Sequence, residues 1–578
     1  MNSRTTSQSA NSGAAIKTAI NVGLILGAGA IYLTLVGILQ LFDGRELIKD
    51  VLTLGQVMLY LPPLIGGYYI SSQYRKARML GEGAGKSQGA AIVSALLAGL
   101  VAAGVILLLT LFLDNIKEIG NLKVRDMFVN ASPKTVKILT SDQGIRDGAT
   151  IIFGVYLVLA LFGSILEMIP GLLRKGIVSA ITWTLGIGLL SELVIQIMRA
   201  TTSDAMVRTY FQGKALRSTT TALIILGIAL VASIIWSLSR NRVAKTHAGL
   251  NTAGKRTLSI VGAVIVLALL LILPSLLGTF LSEVLSLVGL FILMGLGLNI
   301  AVGLAGLLDL GYVTNFAIGA YIMAVMTSGG PLGIGPDWLN FWMVLPICVI
   351  ASMFTGFFFA LPVLRMRGDY LAIATLGFGE IIRLLALSDW LKPYIGGGQG
   401  IPLVPKANFF AWEINSPERM YYLILAFCFL TLFVMLRLNN SRVGRQWMAI
   451  REDEDAASAM GIDTTITKVI AFTISAATGG LTGAIFAMKV TAIFPNSFDL
   501  LKSVNTLSLI IIGGLGSIPG IVVGAAALIG LPELLREFNE FRLLIYGALL
   551  IIMMLTRPEG LWPSSARRRE LRGEEDMA

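Results

Sequence analysis

The chain has 578 residues, 55% of them hydrophobic and only 14% charged, with a formal net charge of +11. A soluble domain carries about 25% charged residues, so a soluble enzyme is excluded. The surplus of Lys and Arg forms no basic stripe interleaved with aromatics, which argues against nucleic acid as a partner. The class expected is all-α: a polytopic membrane helical bundle of about 14–15 membrane segments, each apolar run long enough to cross ~30 Å of hydrocarbon. Excess positive charge is then expected on cytoplasmic loops.

Residues 1–18 are polar and rich in Ser, Thr and Asn, and read as a flexible cytoplasmic tail. Six apolar runs follow, at 19–41, 51–71, 88–113, 149–170, 176–198 and 218–238, and make an accessory block over 19–239. The first is too long for a signal-peptide core and lacks a cleavage site, so it reads as a retained span. Loops 71–86, 172–176 and 240–256 are basic and fall on one side; 199–217 breaks the pattern. The balance puts the amino terminus in the cytoplasm. LGEGAGKS, Leu80 to Ser87, ends like a phosphate-binding loop but has Leu80 where glycine is needed, and no strand precedes it. Residues 240–256 read as a basic cytoplasmic linker.

From 257 to 562 glycine becomes dense, as where helix backbones approach closely in lipid. Apolar runs lie at 257–278, 281–302, 304–328, 339–365, 370–390, 420–438, 467–489, 503–535 and 541–556. Counting from Arg256 puts Arg437, Arg442, Arg445 and Arg451 in the cytoplasm. A single crossing by 503–535 would then strand the basic residues after 556 outside. The stretch IIIGGLGSIPG offers a way out, with Gly513, Gly514, Gly516, Pro519 and Gly520 able to interrupt a helix. A re-entrant or broken segment with both ends outside is expected, since non-helical backbone is tolerated at that depth where protein buries it. Residues 563–578 form a charged cytoplasmic tail.

Few residues could carry covalent chemistry. His247 is the single histidine, and Cys348 and Cys428 both lie in apolar runs, so neither a metal site nor a disulfide is expected. Carboxylates within apolar runs are costly and by default functional candidates. Glu167 and Glu192 lie near span ends, within reach of headgroups. Asp309 and Glu380 are candidates for a substrate path, although Glu380 has Arg383 three residues on as an ion-pair partner. No string of buried carboxylates suggests a proton-driven carrier.

GRQWMAIREDEDAASAMGID, residues 444 to 463, is a polar island between oily runs. One short helix is expected, with Glu452, Asp453, Glu454 and Asp455 in its first turn, where acids complement the dipole. Ala456, Ala457 and Met460 would make one small apolar face, and Gly461 a helix stop. The segment reads either as a solvated connector or as a peg fitting a groove on another protein.

DAASAMG (455–461) is similar to the EAA…G signature of ABC-importer membrane subunits, with Asp at the first place. With the stretches at 297–321, 364–385, 444–463 and 513–536, and RPEGLW at 557–562, the region from about 260 to 562 resembles the LivM-type permeases of branched-chain amino acid importers. Members of the wider family carry urea and amides. The resemblance implies a transporter subunit, not an enzyme, in a bacterial inner membrane. It implies a pathway for branched-chain or other small amino acids. It also implies a second related permease, two cytoplasmic ATPase subunits and an extracytoplasmic substrate-binding protein. This chain would bind no cofactor; ATP would sit on the partner subunits. Arg451, Glu452, Asp453, Glu454, Asp455, Ala456, Ala457 and Gly461 would form the ATPase-coupling helix, and Gly396 to Gly400 an external loop. A stand-alone secondary carrier or channel is the alternative, and needs coupling-ion sites around Asp309 and Glu380.

Overall fold

The computed structural model describes residues 3–79, 88–115, 133–249, 252–336, 338–363, 366, 368–409, 412–534, 542–556 and 560–563. Residues 80–87, with the phosphate-loop look-alike, and 564–578 of the charged tail lie outside them. Among the described residues ten helices are long and apolar enough to cross a membrane. Fewer than expected qualify because membrane segments here are uneven in length. Ile260–Leu304 covers two expected spans in 45 residues, broken at Gly278, whose φ of 74° and ψ of −175° no helix continues through. Tyr312–Thr327 and Ile518–Leu534 are apolar but shorter. The supposed tail is helical from Ser3, continuous with the first span to Leu35. Extending a formed helix is far easier than starting one. The linker is also largely helical, from Thr219 to Gly249 and again from Thr252.

The chain divides into two compact units, Met1–Val264 and Ile265–Ala578. In the first, helix Leu54–Met79 packs on Gly144–Met168, which also packs on Gln88–Asn115. Backbones touch there: a Cβ on Gly67 would stand 2.1 Å from the Ala160 carbonyl oxygen. Glu167, 3% exposed in its side chain, lies 2.6 Å from Arg75 and 2.8 Å from Arg174. It is therefore no headgroup ligand; two guanidinium groups balance a carboxylate that burial would otherwise penalise. Glu192 pairs with Lys214. Short strands Glu46–Ile48, Leu52–Thr53, Ala215–Leu216 and Phe211–Gln212 form a small sheet, with Ile48 parallel to Leu216. With the hairpin of Asn408–Phe409 and Trp412–Glu413, these are the minor exceptions to an all-helical bundle.

The second unit is built round helix Thr464–Val490, which packs along Tyr312–Thr327 and Phe341–Val363. Small residues set the spacing. A Cβ on Gly319 would meet the Gly480 carbonyl at 2.2 Å, and one on Gly483 the Phe316 carbonyl at 1.9 Å. Lipid tails give no hydrophobic drive between helices, so this close packing supplies the attraction.

Two features depart from continuous helices. After Asn299 the chain makes a π-turn, Ile300–Leu304, and runs irregularly until Tyr312. Further on, helix Leu500–Gly513 stops, and Ile518–Ala525 starts after a four-residue turn. Cβ positions on Gly513 and Gly524 abut the carbonyls of Gly520 and Leu509, so the two arms run antiparallel as a hairpin. The first arm, 14 residues, is about 21 Å long, short of the ~30 Å a crossing needs. Backbone groups freed at the turn are not left bare. Leu561 donates its amide to the Ile512 carbonyl (2.7 Å) and Trp562 to that of Gly513 (2.9 Å).

Candidate functional site

The polar island folds as two helices, not one. Ser441 caps helix Arg442–Glu452 by accepting the Gly444 amide at 3.1 Å. Gly444, Trp447 and Ile450 recur every three residues and are buried, which fixes the helix lengthwise. Trp447 donates its indole N–H to the Thr467 carbonyl at 2.9 Å, buried at the start of the central helix. Arg451 and Glu452 therefore end this first helix. Asp453 is extended (φ −154°) and its Oδ1 accepts the Ala456 amide at 2.9 Å, capping the second helix, Glu454–Ala459. An aspartate three residues before an amide is a strong N-cap, and it divides the acidic run: only Glu454 and Asp455 sit in a first turn. Gly461, at φ 84°, ends the segment in the left-handed conformation that favours glycine.

The second helix has an inner and an outer side, which corrects the single apolar face. Ala457 is buried. Glu454 turns inward, its carboxylate 2.5 Å from the Lys468 ammonium; their side chains are 27% and 5% exposed. Asp455 and Ala456 are exposed, and Met460 is 83% exposed. Outward, then, lies a surface of small side chains with one acid and one large flexible thioether. Arg451 points the other way, donating to the Gly303 carbonyl of the π-turn at 2.6 Å.

Gly513, Gly514, Gly516, Pro519 and Gly520 all belong to the hairpin. Gly513 ends the first arm and Gly514 (φ 121°) and Gly516 (φ 73°) form the turn. Pro519 and Gly520 open the second arm, where Ser517 Oγ accepts the Gly520 amide. Gly516 donates its amide to Asn299 Oδ1 at 3.1 Å, so this turn and the π-turn meet at the island's end of the bundle.

Asp309 and Glu380 are not brought together in one pocket. Asp309 is buried in the irregular stretch, accepting the Gly311 amide at 2.9 Å. It lines a cavity of about 20 Å³ with Thr314, Asn315, Thr375 and Phe472, room for about one water. Thr314 Oγ1 has no hydrogen-bond partner among the described residues. Glu380 is 42% exposed in its side chain and accepts from Arg383 Nε through both oxygens, at 3.1 and 3.0 Å. At the far end of the bundle Gly400 packs on the backbone of Ile493, and Ile401 and Ile493 exchange backbone hydrogen bonds.

Sequence reasoning gave no structural role to Lys468, Trp447, Asn299 or the Gly560–Pro563 segment, the last three lying at least in part within stretches cited only for resemblance. A lysine at the mouth of a span reads as an interfacial residue that snorkels to water. An asparagine closing an apolar run reads as a loop. Only a polar side chain left inside an apolar stretch could have marked Asn299.

Residues 280–554 match the family described as branched-chain amino acid transport system / permease component. The chain is 39% identical over 305 residues to the high-affinity branched-chain amino acid transport system permease protein LivM of Salmonella typhimurium, covering 49% of this chain and 70% of that protein. To LivM of Escherichia coli it is 38% identical over 313 residues, covering 50% and 72%. It is also 24% identical over 288 residues to LivH, a permease protein of the same designation from Salmonella typhimurium, covering 47% and 90%. No solved structure matches the chain.

Proposed function

This chain belongs to the branched-chain amino acid transport permease family, and from that premise we propose how it works as the permease component of an ABC importer. It forms the membrane pathway for a branched-chain or other small amino acid, in a bacterial inner membrane, with the polar island in the cytoplasm. Its partners are a second, related permease, two ATPase subunits that hold the ATP, and an extracytoplasmic binding protein. LivM and LivH are two differently named permeases from one organism, both similar to this chain, which supports a pair of unlike permeases.

The observation that carries the reading is the hinged loop. Glu454–Ala459 is short, rigidly capped and outward-facing along Asp455, Ala456 and Met460, yet locked to the central helix through Glu454 and Lys468. A helix of this shape suits a groove on an ATPase subunit. When ATP closes the ATPase pair, the seated helix moves, and Thr464–Val490 moves with it. That helix is packed backbone to backbone on Tyr312–Thr327, so displacement reaches the bundle interior without loss in soft side chains. Asp309, Thr314, Asn315 and Thr375 line a small cavity beside these helices, together with apolar side chains. In our reading they lie on the route that opens, with Asp309 facing the substrate ammonium. Glu380, bound by Arg383, holds a helix end instead.

The test is uptake of radiolabelled leucine into proteoliposomes containing the assembly purified through this chain, with binding protein outside and ATP inside. Uptake that needs ATP and survives a protonophore is expected. Uptake by the chain alone, lost when ion gradients collapse, would establish a secondary carrier instead.

A further inference from the structure

We infer that Arg451 is a positioning residue that pins both interrupted helices to the ATPase-facing loop; the inference rests on the importer reading above. The bond it makes exists because the helix ends at Leu304 and leaves the Gly303 carbonyl without an intrahelical donor. In an α-helix Leu307 would donate its amide to Gly303. Here Leu307 donates to Ala301 at 2.9 Å, and the Gly303 carbonyl takes Arg451 Nη1 at 2.6 Å instead. A charged donor makes this bond shorter and stronger than a neutral one.

Arg451 is exposed overall, but its side chain runs close beside two glycines. A Cβ on Gly306 would come within 3.0 Å of Arg451 Cγ, and one on Gly516 within 3.3 Å of both Arg451 Nη1 and the Gly303 oxygen. Both glycines have φ of +73°, which other residues rarely adopt. Gly516 is held to the same place by its amide bond to Asn299 Oδ1. Asn299 is fully buried, and its Nδ2 has no hydrogen-bond partner among the described residues. Two backbone segments far apart in sequence, 299–306 and Gly516, therefore meet at one arginine, two residues before the Asp453 cap where the loop changes direction.

Loop movement cannot leave this junction unchanged. Withdrawing Arg451 bares the carbonyl of buried Gly303, and a buried carbonyl without a partner must find another. The two interrupted helices thus have one arrangement with the arginine in place and a different one without it, which is what a switch between access states needs. A lysine keeps the charge but not the planar fork.

Two measurements test this. Hydrogen exchange on the full chain in nanodiscs compares wild type with Arg451→Ala. Exchange in 305–311 and 514–517 should rise together, by about tenfold, the scale of one lost charge-assisted bond. A rise in one segment only, or in neither, overturns the inference. In proteoliposomes of the whole assembly, leucine taken up per ATP hydrolysed should fall by about tenfold in Arg451→Ala and less in Arg451→Lys. Uptake and hydrolysis falling in proportion would mean that Arg451 only holds the fold, and overturns the inference. Where the alanine variant does not accumulate, the lysine variant carries both comparisons. If the wild-type assembly takes up no leucine with ATP, the importer reading fails while the exchange result still decides the pinning.

Discussion

Replacing Glu454 by Gln strips the partner from a lysine whose side chain is 5% exposed. Removing one member of a buried ion pair costs about 3–5 kcal/mol, because the other charge is left buried alone. Glu454 itself is 27% exposed, so water already screens part of the pair, and ~2–3 kcal/mol is expected. That corresponds to roughly 30- to 150-fold more of the state in which Glu454–Ala459 has come away from the central helix. Trypsin reads this population: Arg451 is exposed, but it is helical and its guanidinium is bonded to Gly303, so the bond after it is cut faster from the opened loop, and cutting tracks the open fraction when closing is fast. Cleavage there, identified by mass spectrometry, should quicken by that factor in Glu454→Gln. Adding Lys468→Met should return it near the wild-type rate, because no bare charge then remains. If Glu454→Gln is cut no faster, or Lys468→Met does not rescue it, the pair does not hold the loop and force cannot pass through it.

Three further outcomes follow from the same geometry. Met460→Glu, on the outer side, should leave chain abundance unchanged and lower the amount of ATPase that copurifies by about tenfold, read on a quantified gel. Glu167→Gln leaves Arg174 without its carboxylate and should cost the first unit ~3 kcal/mol, seen as a lower midpoint of heat unfolding in detergent. Gly319→Val places a branched side chain where a Cβ already meets the Gly480 carbonyl at 2.2 Å. It should cost about 3 kcal/mol or more, and fluorescence-detected gel filtration should show loss of the monodisperse peak.

What could be read before folding, and what could not, divides along a physical line. Spans, the glycine-rich second half and the interruption at Gly513–Gly520 are local properties of composition, and they stand out in one strand of text. The division of the acidic island at Asp453 is local too, but four acids in a row suit a first turn as well as a cap. Only the extended φ at Asp453 decides between them. The Arg451–Gly303 bond joins residues 148 positions apart and leaves no periodic trace. The same holds for Lys468, whose burial depends on a carboxylate 14 residues earlier turning inward. Sequence therefore located the polar island but not the pins that attach it. It also put Glu167 at the headgroups, because nothing nearby in the chain announces that Arg75, 92 positions before it, comes to 2.6 Å.

The amide bonds from Leu561 and Trp562 to the hairpin turn bear on biosynthesis. The ribosome makes those two residues after every element they seal. Until they emerge, the Ile512 and Gly513 carbonyls lack these donors. The nascent permease consequently carries an unsealed hairpin while residues 514–560 are made, and a quality-control protease has that interval in which to act.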